Sequence, residues 1–339
     1  MHPALSVIFF TVISGAGYGV LLLLGAGLLA DPRLFPRYEI LLLLFVGAGA
    51  AAAGLTSSMF HLGQPQRAWR ALSQWRSSWL SREGVSALVS FVPVCTLGVA
   101  VWVDADYGLV RTLAVVLAAL ALVTVFCTAQ IYASLKTVGA WHNRYVAPGY
   151  ILLGLLSGAS WLLCVHGFFA SAFTTMDELR NSRAAVVPES LTMYAALGLL
   201  LLILALTGVI WKILYWRFLA TMQPIATTES ATGLGLLGRV RSAEQPHTEE
   251  NYLLREMGFM LARKHAARLR RIAGVLIGVL PVLIAVFLLW SLAHASVRVA
   301  SIASAIIAIS VTAGCFVERW LFFAEAKHVV TLYYDACET

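Results

Sequence analysis

The sequence predicts an all-α, polytopic membrane protein with eight transmembrane helices in a bundle. The first observation behind this is composition: of 339 residues, 60% are hydrophobic and only 12% are charged. Soluble domains carry roughly 45–50% apolar and about 25% charged residues. An apolar excess of that size cannot be absorbed by a soluble core, and it is the opposite of the low-hydrophobicity, high-charge pattern of disorder. The second observation is spacing. Apolar runs close to the twenty or so residues that cross a bilayer recur at about 4–30, 39–60, 84–103, 109–135, 147–170, 190–218, 272–293 and 299–323.

The runs differ in ways that suggest how they pack. The first carries Gly15 and Gly19 as a GxxxG pair. The second contains Gly47-Ala48-Gly49-Ala50-Ala51-Ala52-Ala53-Gly54, almost entirely small residues. Small residues let helix backbones approach closely where lipid offers no hydrophobic drive for association. The third run opens at Glu83, and the fourth ends near Gln130 and Tyr132. Between the sixth and seventh lies the longest polar stretch, an insertion at about 220–271. Its second half, HTEENYLLREMGFMLARKHAARLRR, reads as a helix capped by Thr248, with acids in its first turn and bases in its last. Such a helix suits an anionic lipid surface or a soluble partner subunit. The whole chain, 1–339, reads as one integral-membrane domain. Its start, MHPALSVIFF, has neither a basic leader nor a small-residue cleavage site, so a removable signal peptide is not expected.

Charge sets an expected orientation. With the N-terminus in the cytoplasm, 18 Lys and Arg fall on the cytoplasmic side, and six (Arg33, Arg37, Arg111, Arg180, Arg183 and Arg298) on the other. The positive-inside rule therefore predicts both termini and the long insertion in the cytoplasm. The same rule explains the net charge of +7 without nucleic acid as a partner. The five cysteines form no CxxC pair, which excludes an iron–sulfur cluster or structural zinc built from this chain alone. The histidines are badly placed for a haem. His166 and His294 lie near one face, and His61 and His328 near the other. The aromatics at span ends (Trp79, Trp102, Trp141, Trp216 and Trp290) read mostly as interfacial anchors.

Ionisable groups at membrane depth are costly and mark sites by default. His61, in SSMFHLGQPQRAWRAL, ends the second run; Glu83, in SWLSREGVSALV, opens the third. A loop of about twenty residues keeps both at one membrane face. The eighth run returns there with Glu318, Arg319, Glu325, Lys327 and His328. A histidine, a carboxylate, arginines and aromatics at one interface suit a quinone pocket, where aromatic walls hold the ring and titrating groups deliver protons. Plainer readings exist for each. A histidine at a helix end can bond a backbone carbonyl, an acid in a first turn favours the helix dipole, and Glu318 with Arg319 can be a structural ion pair.

The segment SSMFHLGQPQRAWRAL followed by SWLSREG resembles the membrane-anchor subunits of bacterial dimethyl sulfoxide reductase and its relatives. The His-Leu-Gly-x-Pro-x-Arg-Ala stretch is the specific part, and the resemblance runs over essentially the whole hydrophobic chain. It implies eight spans in the bacterial cytoplasmic membrane and a quinone, ubiquinone or menaquinone, but no haem on this chain. It also implies two partners: an iron–sulfur electron-transfer subunit and a molybdopterin catalytic subunit. The functional histidine of such anchors maps onto His61, and the acid onto Glu83 as a proton-transfer group. Gln64, Arg67, Arg82 and Arg319 are the neighbouring candidates for quinone binding. Two features set the chain apart from the dimethyl sulfoxide reductase anchors: a short acidic VDADYG loop, and the HTEENYLLREMGF insertion with its ERWLFFAEAKHVVTLYY tail. Both resemble the anchor of the cytoplasmic sulfite-oxidising molybdoenzymes. The implied activity is transfer of electrons from sulfite oxidation to the quinone pool. The alternative is a quinol-oxidising anchor of a dimethyl sulfoxide or polysulfide reductase. A transporter fits less well, because no matching Gly/Pro breaks mark corresponding halves.

Overall fold

A computed structural model describes residues 4–180, 188–240, 261–294 and 297–334. Within them, eight helices are long and apolar enough to cross a membrane. They are α1 (Leu5–Ala30), α2 (Arg37–Ser58), α3 (Trp79–Trp102), α4 (Tyr107–Ala133), α5 (Val146–Arg180), α6 (Pro188–Thr221), α7 and α8 (Val297–Ala324). Helix α7 is composite, running as Leu261–Gly274, a π-helical turn Val275–Val279, and Leu280–His294. No strand occurs among the described residues. In lipid every backbone polar group must be satisfied within the protein, so helices are the form these apolar runs can take.

Helix α1 is central, packing on α2, α4, α5 and α8. The small residues explain why it can. A Cβ on Gly19 would lie 2.0 Å from Gly154 O, and one on Gly158 would lie 2.2 Å from Gly19 C. On the other side, a Cβ on Gly17 would meet Gly47 O at 2.5 Å, and one on Gly54 would meet the Ser14 backbone nitrogen at 2.8 Å. The α1–α5 and α1–α2 crossings are thus backbone against backbone. Gly15, the other half of the expected GxxxG pair, faces open space.

The helix bounds correct three expectations. First, α3 begins at Trp79, five residues before the expected start, so Glu83 lies past the first turn. The helix-dipole account of Glu83 weakens accordingly, because that effect fades beyond one turn. Second, the basic end of the insertion is no separate interfacial helix: from Leu261 onward it is the opening of α7. Thr248 and the rest of 241–260 lie outside the described residues. Third, Trp141 is no interfacial anchor. It is buried, its Nε1 donates to Phe322 O (2.9 Å), and its ring stacks on Phe322.

The π turn has a local partner. The altered register in such a turn frees carbonyls, and Ser310 Oγ on α8 donates to Leu276 O at 2.9 Å. Gly314 is needed beside it, since a Cβ there would lie 2.7 Å from Ile277 Cγ1.

Candidate functional site

After α2 the chain makes a 3-10 turn, Met59–His61, and then a longer 3-10 run, Pro65–Gln74, before α3. The turn touches α1, α2 and the longer run, and the run packs on the start of α3. Ser81 Oγ donates to Ala71 O, and Leu72 lies against Gly84. Glu83, between these two contacts along α3, is 3% exposed. His61 closes the short turn; its side chain is outside what the structure describes.

Among the described residues, the Glu83 carboxylate has one hydrogen-bond partner, Thr128 Oγ1 on α4. That hydroxyl is also 3.0 Å from Thr124 O, one turn back. A single hydroxyl proton cannot serve both acceptors at once. Once Glu83 carries a proton it can donate to Thr128, which then donates to Thr124 O. The pair is therefore built to hold Glu83 in either protonation state without leaving an acceptor stranded. On the far side of Thr128 lies a cavity of about 20 Å³ lined by Tyr18, Tyr150, Ser157 and Arg319 among others. A space of that size holds about one water molecule.

The other expected site residues divide. Arg319 is brought to the cavity: it is 5% exposed, its guanidinium carbon lies 3.7 Å from the centre of the Tyr150 ring, and its Nε pairs with Glu318 Oε2 at 3.2 Å. Arg82 is committed elsewhere. Its Nε donates to Trp75 O (3.0 Å), its Nη2 to Arg76 O (2.6 Å), and its guanidinium covers the Trp79 ring. It ties the end of the 3-10 run to α3. Gln64 and Arg67 are exposed on that run, where Arg67 N donates to Gln64 O. The same surface bears Arg70, Arg76 and the exposed rings of Trp69 and Trp75.

Sequence reading missed Lys212, having counted it among the cytoplasmic loop bases. It is buried within α6 and ion-paired with Glu318 Oε1, with the Tyr215 ring 4.3 Å away. Without the two buried cations, Lys212 and Arg319, the expected charge split falls from 18 to 16 against six, still strongly one-sided. Tyr150 was missed as well. It stacks on Tyr132 at 5.8 Å, and both rings meet Phe322 edge-on. A second buried pair joins Glu39 on α2 to His166 on α5, Nδ1 to Oε1 at 2.8 Å. The partners of these two pairs stand 106 and 127 residues apart in the chain, and no local motif signals them.

At the end of the bundle that carries the 3-10 run, a pocket of about 620 Å³ opens between α6, α7 and the chain after α8. Arg270, Glu325, Lys327 and His328 lie on its wall with Leu219 and Met222. Arg270 Nη2 donates to Glu325 Oε1 at 2.9 Å. Burial pushes the Glu325 carboxyl above its ordinary range, with the Arg270 charge opposing. Among the described residues, no group of three His, Cys, Asp or Glu is placed to hold a metal ion.

Comparison with known proteins places this architecture. Residues 1–324 match the family model for the dimethyl sulfoxide reductase anchor subunit, DmsC. The chain belongs to the DmsC family. It is a multi-pass membrane anchor of that type, a subunit of an oxidoreductase complex. A sulfite dehydrogenase subunit of Allochromatium vinosum is 33% identical over 358 aligned positions, covering 99% of both proteins. An anaerobic dimethyl sulfoxide reductase chain of Escherichia coli is 29% identical over 157 positions, 45% of this chain and 54% of its own length. An anaerobic dimethyl sulfoxide reductase chain of Haemophilus influenzae is 26% identical over 159 positions, 45% of this chain and 55% of its own. The family assignment agrees with the resemblance carried by the HLGQPQRA segment. Similarity to the sulfite dehydrogenase subunit extends over 99% of the chain, and so over the insertion and nearly all of the tail.

Proposed function

We propose that this DmsC-family anchor is the quinone-reactive subunit of a sulfite-oxidising molybdoenzyme. Sulfite is oxidised on a molybdopterin partner, electrons cross that partner's companion iron–sulfur subunit, and this chain delivers them to the membrane quinone pool. The observation that carries the reading is the Glu83 carboxyl. It is 3% exposed and backed by a hydroxyl that accommodates either protonation state. A buried carboxylate kept only for stability is better served by a fixed cation, as Glu318 is.

A quinone supplies a two-electron, two-proton acceptor when bound. The 20 Å³ cavity behind Thr128 is too small for its ring. The exposed apolar surface around His61, with Met59, Phe60, Leu62 and Leu80, fits a ring lying in the bilayer at that face. His61 would hold a carbonyl oxygen there, and Glu83 would hold the proton to be transferred. Gln64 and Arg67 stand on the adjoining run to orient the ring, while Arg82 keeps that run in place over α3. The iron–sulfur subunit docks on the same end, where Arg67, Arg70 and Arg76 with Trp69 and Trp75 give a cationic, aromatic surface. Both termini and this docking end face the cytoplasm in this reading.

The test is Glu83→Gln in the assembled complex. Sulfite-dependent quinone reduction falls about a hundredfold or more, while sulfite oxidation with a soluble dye as acceptor continues. Wild-type quinone turnover would remove Glu83 from the mechanism. A quinol-oxidising reductase would use the same residues in reverse. The full-length similarity to a sulfite dehydrogenase subunit favours the sulfite direction over the half-length matches to dimethyl sulfoxide reductase chains. A purified complex that ignores sulfite and reduces a sulfoxide with quinol would reverse that choice.

A further inference from the structure

Glu83 is 3% exposed, so a proton it gives to a quinone is best replaced from inside the bundle. Tyr150 and Arg319 line the 20 Å³ cavity that begins at Thr128. They also line a second, smaller cavity of about 10 Å³ on their other side, together with Lys212, Glu318 and Tyr215. Glu325 follows Glu318 by seven residues on α8 and the turn that extends it. That spacing puts the two carboxyls on one side, about 10 Å apart along the axis. Glu325 opens onto the 620 Å³ pocket.

We propose that Glu325, the Lys212–Glu318 pair and the Tyr150–Arg319 pair form an internal proton path from that pocket to the Glu83 carboxyl. The proposal rests on Glu83 being the proton donor at the quinone. Reducing one quinone to quinol takes two electrons, supplied by sulfite through the partner subunits, and two protons, drawn from the aqueous pocket. Each proton enters at Glu325 and crosses to the Glu318–Lys212 pair over water admitted from the pocket. It then moves by way of the Tyr150 cavity and the Thr128 hydroxyl to Glu83, which gives it to a quinone oxygen, one proton for each of the two oxygens. Arg319 stays charged and holds the middle of the path by its contacts with Glu318 and the Tyr150 ring.

A buried ion cluster is also a sound structural device, so the test separates the two roles. The variants are Glu325→Gln, at the mouth, and the double variant Lys212→Met with Glu318→Gln, which keeps the cluster's net charge and leaves Arg319 its contact with the Tyr150 ring. Both are assayed in the intact complex beside Glu83→Gln, with dye-linked sulfite oxidation as the control for assembly. The path predicts that kcat for quinone reduction drops by about tenfold or more in both. KM for quinone should be unchanged, and rate should return on adding a small membrane-permeant weak acid such as azide. Normal kcat in Glu325→Gln and in the double variant, with Glu83→Gln slow, would overturn the path and leave the Glu83 site standing. Slow turnover that azide does not restore would assign the cluster a structural role only. Normal turnover in all three would overturn the site reading itself. If the double variant does not assemble, Glu325→Gln decides by the same readouts, because its side chain is outside the spans.

Discussion

At the scale of single residues, the ion cluster on α6 and α8 shows how burial changes a charge from a label into a constraint. Lys212, Glu318 and Arg319 are all at least nine-tenths buried and sum to one positive charge. Removing one partner of a buried pair typically costs about 3–5 kcal/mol, because the remaining charge is left uncompensated. Glu318→Gln alone should therefore reduce the yield of assembled complex and its thermal midpoint far more than the double variant with Lys212→Met. Comparing detergent-solubilised melting curves of the two checks this. Thr128 offers a second residue-scale prediction. Thr128→Val keeps the shape but removes the hydroxyl that serves Glu83 and Thr124 O. Quinone turnover should fall while dye-linked activity holds, and equal loss of both would point to a folding defect instead. Glu83 was legible in the sequence as an acid near membrane depth. Its partner was not, since a threonine within an apolar run carries no signal until α4 is seen to pass α3.

Among the helices, α1 owes its central place to glycine. At the α1–α5 crossing, Gly19 and Gly158 leave no room for a side chain. Gly158→Leu should part these helices and cost at least the 1–3 kcal/mol or so typical of overpacking. The readout is loss of folded protein from the membrane fraction, with Gly15→Ala, which faces open space, as the neutral control. The sequence pointed to a GxxxG pair in α1 but not to which of its glycines makes contact. A 3.6-residue repeat places the face only when the partner helix and its crossing point are known. The start of α3 was misplaced for a related reason. Trp79 to Arg82 are too polar to look like membrane helix, yet they continue α3 because the 3-10 run packs on them.

For the whole molecule, the uneven basic charge predicts which end faces the cytoplasm, and the bundle shows which residues share that end. Ser230, after α6, and Tyr107, at the start of α4, are both exposed and lie at opposite ends. Single cysteines at these positions, in a background where the five native cysteines are serine, should react oppositely with an impermeant maleimide. Intact right-side-out cells should label Tyr107→Cys and spare Ser230→Cys, and the reverse pattern would invert the proposed orientation. The class, the number of spans and the family can be read from the chain alone, because apolar length, charge asymmetry and the HLGQPQRA segment are properties of contiguous stretches. Packing was needed to show that Glu83 is buried, that Arg82 ties a loop while Arg319 lines a cavity, and that Lys212 belongs to the interior. Those facts depend on which helices cross near one another, and residues more than a hundred positions apart meet only once the chain has packed.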